Sequence, residues 1–178
     1  VWGCWYASAA NYLQKIGFDG GVVGSIFSTI NIAAIIAPLF VGIIADRFFQ
    51  AQRILAISHI VGAAILYWIS SVNDSDTFYW VLLLYSIFYM PTLALVNSIS
   101  FRQLNNPSKE FPFVRVFGTA GWIIAGWVIS FGFQWDSIEN IGQGALSNTF
   151  LMVAIASGIL GLFSFTLPKT PPTAGRDG

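Results

Sequence analysis

Five apolar runs, at residues 22–45, 54–71, 78–100, 112–133 and 145–167, constrain this chain more than any other feature. Each is close to the roughly 20 residues a helix needs to cross a bilayer. The polar stretches between them are short, and nearly all the charge sits there. Hydrophobic residues make up 56% of the chain and charged residues 9%, where a soluble domain carries about a quarter charged. A soluble fold of this length could not bury so much apolar surface. The opening run Val1 to Leu13 is also apolar but is too short to span. We expect it to be the end of a first helix whose beginning is missing, so the fold class read here is an all-α membrane protein, a six-transmembrane-helix bundle over 1–167. It has neither the basic leading region nor the small-residue cleavage site of a signal peptide. The tail 168–178, rich in Pro, Thr and Gly, has linker composition.

Pro38 and Pro91 fall inside the second and fourth runs, where a membrane helix tolerates proline because neighbouring groups take up the freed carbonyl. A kink is expected at Tyr89–Thr92. The predicted hydrophilic loop is Arg102 to Glu110, and Pro112 is expected to open the fifth span.

Alternating the loops between two sides sorts the charges. One side collects Arg47, Arg53, Arg102, Lys109, Lys169 and Arg176, and the other collects Lys15 with Asp19, Asp74, Asp76, Asp136 and Glu139. Cytoplasmic loops are enriched in Lys and Arg, which places the first group inside together with both chain ends. A formal charge of zero without a basic patch argues against nucleic acid as a partner. Cys4 is the only cysteine, so no internal disulfide and no cysteine metal cage can form. No Gly-x-Ser-x-Gly or His-Glu-x-x-His motif is present, and His59 is the only histidine. The reading is therefore not an enzyme, with no catalytic residues, no metal and no cofactor. A lone intramembrane histidine is more often a hydrogen-bonded packing residue than a proton relay.

One charge departs from the loops. Arg115 falls inside the fifth span, and Thr119 and Trp122 follow at i+4 and i+7 on the same helical face. A guanidinium, a hydroxyl and an aromatic plane in one stripe make a plausible ligand surface. The competing reading has Arg115 snorkelling to the interface while Trp122 packs.

Gly42, Asp46, Arg47 and Arg53 form a tight charged turn, Gly-x-x-x-Asp-Arg with a further basic residue. This resembles the loop between helices 2 and 3 of the major facilitator superfamily, although Phe49 stands where that family usually has Gly, and Gln50 and Ala51 where it has basic residues. Trp2–Trp5, His59–Gly62, Tyr89–Ser100 and Phe111–Gly121 together resemble the bacterial nucleoside:proton symporter family of that superfamily, over nearly the whole chain. The resemblance implies the N-terminal half of a twelve-helix transporter in a bacterial inner membrane. It implies nucleoside and proton as substrates, the lipid bilayer as surroundings, and a C-terminal half of the same chain as partner, carrying the proton-coupling acids. It further implies substrate contact by Arg115, Thr119 and Trp122, the last standing where the family has an aromatic residue. Gly42, Asp46, Arg47 and Arg53, at the cytoplasmic end of the bundle, are expected to act in gating. Asn11, Asn31 and Asn97 are candidates for a cavity wall, with hydrogen bonding between helices the expected role for each. Two alternatives stay open: a six-helix scaffold or channel, and a major facilitator transporter of another small polar solute.

Overall fold

The computed structural model describes residues 1–47 and 49–171, with no side-chain placement for Pro38 or residues 40–47. A single 3-10 turn, Trp2–Cys4, leads into α1 (Tyr6–Lys15). Helices α2 (Gly20–Arg47), α3 (Ala51–Ile69), α4 (Ser75–Gln103) and α5 (Pro107–Trp127) follow. A π-helical turn, Val128–Gly132, a short α6 (Ile138–Gly142) and a 3-10 turn, Ala145–Ser147, then connect to α7 (Asn148–Ser164). Among the described residues five helices are long and apolar enough to cross a membrane. The ten-residue α1 is not one of them, in keeping with the short opening run.

Helix starts follow local chemistry. Asp19 accepts the Val22 N–H at 3.0 Å at the head of α2, and Asp74 accepts that of Thr77 at 2.8 Å at the head of α4. Each supplies a partner to a backbone donor that the helix leaves unpaired. Three buried threonines in the spans are satisfied by their own helix: Thr29 donates to the Ile26 carbonyl, Thr92 to Tyr89 and Thr149 to Leu146, each at 2.6 Å, whereas the buried hydroxyls of Tyr85 and Ser86 have no partner among the described residues. The three threonines thus sit at bilayer depth without stranding a donor.

The structure corrects the expected boundary between the fourth and fifth spans. The loop predicted from Arg102 to Glu110 is mostly helix, because α4 runs on to Gln103 and α5 begins at Pro107. Asn106 is the cap, its side-chain oxygen 3.3 Å from the Lys109 N–H, and Pro107 takes the first helical position. Proline suits that position because its missing N–H would have had no partner there. Pro112, expected to open the helix, lies inside it. Helix α4 continues through Pro91 as one element.

Helix α3 packs most extensively on α7 and also on α4, and α4 packs on α2. The main core gathers Trp5, Leu13, Leu66, Phe78, Tyr85 and Phe150, all almost fully buried. Phe150 sits at its centre, with ring centroids 5.7 Å from Trp5, 5.6 Å from Tyr12 and 5.9 Å from Phe78. Helix α7 approaches α3 through small residues. A Cβ on Gly161 would stand 2.7 Å from Ile60 Cγ1 and 3.0 Å from the Ala56 carbonyl oxygen. In a membrane, where apolar surface gains little by leaving lipid, such backbone proximity is a main source of helix association.

At the other end of the bundle the start of the tail is docked. Gln52 Oε1 accepts from both the backbone N–H of Thr170, at 3.0 Å, and its hydroxyl, and Arg102 donates to the Pro171 carbonyl at 2.8 Å. Linker composition alone did not indicate this clamp. It puts Arg53, Arg102 and residue 170 at one end, while Lys15, Asp19, Asp74 and the 134–144 segment lie at the other. Arg176 and the rest of the tail beyond residue 171 fall outside the described residues.

Candidate functional site

Arg115, Thr119 and Trp122 stand on one face of α5, about 10 Å from first to last at the helical rise. All three are exposed. Neither Arg115 nor Thr119 makes a side-chain hydrogen bond among the described residues, so five guanidinium donors and a hydroxyl are available to a ligand. Exposure by itself does not mark this face, because Ala125 is the only buried residue of α5. What marks it is Trp122, where α5 meets the start of the chain. Its ring lies 6.2 Å from that of Trp2 and 6.4 Å from that of Tyr6, both nearly edge-on, and Trp2 and Tyr6 touch each other at 5.0 Å. Edge-to-face pairs fix ring orientation more strongly than unspecific contact does. The stripe thus has one steadied aromatic plane and, one and two turns away, unpaired polar groups.

His59 is held as a packing residue. Ser157 Oγ donates to the His59 carbonyl at 2.9 Å, and His59 Nδ1 lies 3.1 Å from the same Oγ. The hydroxyl has a single hydrogen, so Nδ1 must carry the proton and donate to Ser157. The pair ties α3 to α7.

The three asparagines do not do what was expected of them. Asn11, Asn31 and Asn97 are all exposed, and none makes a side-chain hydrogen bond between helices among the described residues. Each stands on a face that its neighbours leave uncovered, so the expected role between helices is corrected. Of the predicted gating residues, Arg53 is exposed in the first turn of α3, beside an apolar groove of about 280 Å³ that Phe49, Ile57 and Phe88 help to line. Gly42, Asp46 and Arg47 fall in the part of α2 for which no side-chain placement is described.

Trp2 and Gly3 were legible only as part of a resemblance and Tyr6 not at all, and none of the three was read as a neighbour of the stripe. The signal was present in the i, i+4 spacing of Trp2 and Tyr6, which puts two aromatics on one side of a helical turn.

These features define a helical, multi-span membrane protein with a polar and aromatic stripe left unpaired on one span. Residues 1–177 match the family model described as nucleoside H+ symporter, and the chain belongs to that family, which is one of transporters and not of enzymes. It is 40% identical over 175 residues to a protein described as putative nucleoside transporter YegT of Escherichia coli K12, covering 97% of this chain and 40% of that one. It is 38% identical over 177 residues to the xanthosine permease of the same organism, covering 96% of this chain and 40% of that protein. A crystal structure of the nucleoside transporter NupG superposes with a TM-score of 0.85 at 33% identity, covering 99% of this chain and 42% of that one. The chain therefore spans about two fifths of the length of the relatives it matches.

Proposed function

We propose that this chain is the N-terminal six-helix bundle of a twelve-helix major facilitator transporter that carries nucleosides inward with protons across a bacterial inner membrane. Half of such a transporter has both ends inside, and its site lies near the midplane between two six-helix units. The observation that carries the reading is the α5 stripe: Arg115 and Thr119 unbonded, beside a Trp122 ring held edge-on by Trp2 and Tyr6. The relatives are described as nucleoside transporters and permeases over the whole of this chain, which supplies the substrate class. In the proposed site Arg115 and Thr119 bond the hydroxyl and carbonyl oxygens, and Trp122 stacks the base. None of the eight acids of this chain falls inside an apolar run, so the proton-coupling carboxylates belong to the other half. Gly42, Asp46, Arg47 and Arg53 act at the cytoplasmic end in gating, away from the substrate.

The test is uptake of radiolabelled uridine by the full-length transporter in proteoliposomes under an inward proton gradient. Accumulation above equilibrium that a protonophore abolishes is expected. Equilibration that ignores the gradient would favour a channel, and no uptake a scaffold.

A further inference from the structure

Gly3 lies directly against the indole of Trp122. A Cβ built on it would fall 2.7 Å from Trp122 Cδ2, 2.8 Å from Cγ and 2.9 Å from Cε3. With three adjacent ring carbons at nearly one distance, Cδ2 the nearest, the Cβ would stand over the face of the ring and not at its rim. Ordinary contact begins near 3.4 Å, so any larger residue must push the ring away by about 0.7 Å, the difference from 2.7 Å. The ring cannot yield as the tip of a flexible side chain would, because two of the atoms in contact, Cγ and Cδ2, lie at its root. Trp2 and Tyr6 meet it with ring centroids at 6.2 and 6.4 Å, so movement toward them is also blocked. Trp122 nevertheless keeps 41% of its surface exposed.

We propose that Gly3 is a positioning residue for the base-stacking ring, its missing side chain setting how deep Trp122 lies and therefore how much space remains for the base. This rests on the reading of the α5 stripe as a nucleoside site. Trp2 and Tyr6 complete the seat, and the uncovered part of the indole is the platform on which a base is laid. Moving that platform outward by most of an ångström narrows the slot. A purine covers more of the indole than a pyrimidine, so the two classes respond unequally.

The experiment measures binding of uridine and of inosine to the full-length transporter by calorimetry, in Gly3→Ala, Trp122→Ala, the double variant and Arg115→Lys. Expected is a weakening of at least tenfold for inosine in Gly3→Ala, with the inosine-to-uridine ratio moved by at least threefold. In the Trp122→Ala background Gly3→Ala should then change neither affinity. Wild-type affinities in Gly3→Ala, or an equal loss with and without the Trp122 ring, would overturn the proposal. A loss equal for both nucleosides contradicts it too, since general damage to the fold does not sort purines from pyrimidines. If Gly3→Ala is not recovered as a monodisperse protein, Tyr6→Leu serves in its place: it removes one side of the seat, and an unchanged ratio there overturns the proposal. Arg115→Lys separates the two levels. Loss there without loss in Gly3→Ala leaves the nucleoside site standing and removes Gly3 from it, whereas native binding in Arg115→Lys and Trp122→Ala removes the site itself.

Discussion

Helices α3 and α5 are nearly alike in apolar character, with mean hydropathy 1.4 and 1.5 over their membrane-length segments, yet they are used in opposite ways. Helix α3 buries ten residues, among them Ser58 and His59, between α4 and α7. Helix α5 buries only Ala125. Phe113, Val116, Phe117 and Trp127 all stand more than half exposed along it. Overall apolarity says that a helix enters the membrane. Which part of it meets protein, lipid or a solute depends on small residues and on unpaired polar groups. On α3 the buried His59 and Gln52 are paired, His59 with Ser157 across to α7 and Gln52 with Thr170. On α5, Arg115 and Thr119 are left open.

The contrast can be broken most sharply through glycine. Gly161 carries the contact of α7 with α3, whereas Gly118 on α5 has no atom within 4 Å of a built Cβ. Forcing a large side chain into packed helices costs about 1–3 kcal/mol or more. In thermal unfolding of this 178-residue chain in detergent, Gly161→Leu should lose about 3 kcal/mol and Gly118→Leu less than about 0.5 kcal/mol. Equal losses would mean that α5 is as tightly packed as α3.

The next effect is smaller and concerns polar pairing. Ser157→Ala takes away both the acceptor of the His59 Nδ1 proton and the donor to the His59 carbonyl. Hydrogen bonds between membrane helices are worth roughly 0.6–2 kcal/mol, so a loss of about 1 kcal/mol is expected in the same unfolding measurement. No loss would show that the α3–α7 contact rests on shape alone.

The smallest effect is electrostatic and lies in the turn that joins α3 to α4. The Thr77 backbone N–H holds the Asp74 carboxyl below its ordinary range. A carboxyl whose folded pKa is depressed stabilises above its unfolded pKa, and the contribution disappears as pH falls through the lowered folded value. Amide exchange at Thr77 should therefore speed up on acidification, beyond the intrinsic pH trend, only below the usual carboxylate range. In Asp74→Asn, which still caps but does not titrate, that extra step should vanish. Its persistence would assign it to another group.

Much of the fold was readable because run length and charge placement are set by the bilayer itself. Residues 22–45 and 54–71 became α2 and α3 within a few residues, and the charge-sorted loops came out at opposite ends. The Asn106–Pro107 pair was misjudged because a polar stretch was read as loop, although a capping residue followed by proline is how a helix begins. Arg102, Lys109 and Glu110 then lie on helices that extend beyond the apolar window. The docking of residue 170 on Gln52 and the seat of Trp122 could not be read, since both join segments more than a hundred residues apart. The α5 stripe was visible because i, i+4, i+7 spacing is local. That Arg115 and Thr119 stay unbonded depends on which neighbours α5 lacks, and sequence spacing carries no information about that.

The central claim is that Arg115 is used for its fork of donors and not merely for its charge at the membrane surface. An interfacial anchor tolerates lysine, because a positive charge on a flexible stem is all it supplies. A ligand-binding guanidinium does not, since an ammonium cannot reproduce its planar geometry. A nucleoside group left unpaired in a desolvated site costs about 1–3 kcal/mol, or roughly one to two orders of magnitude in affinity. The decisive measurement is uridine binding to the full-length transporter carrying Arg115→Lys, inserted and folded as the wild type. At least a tenfold weakening is predicted, with Thr119→Ala a milder version. Near-native affinity would contradict the account and return Arg115 to the interface.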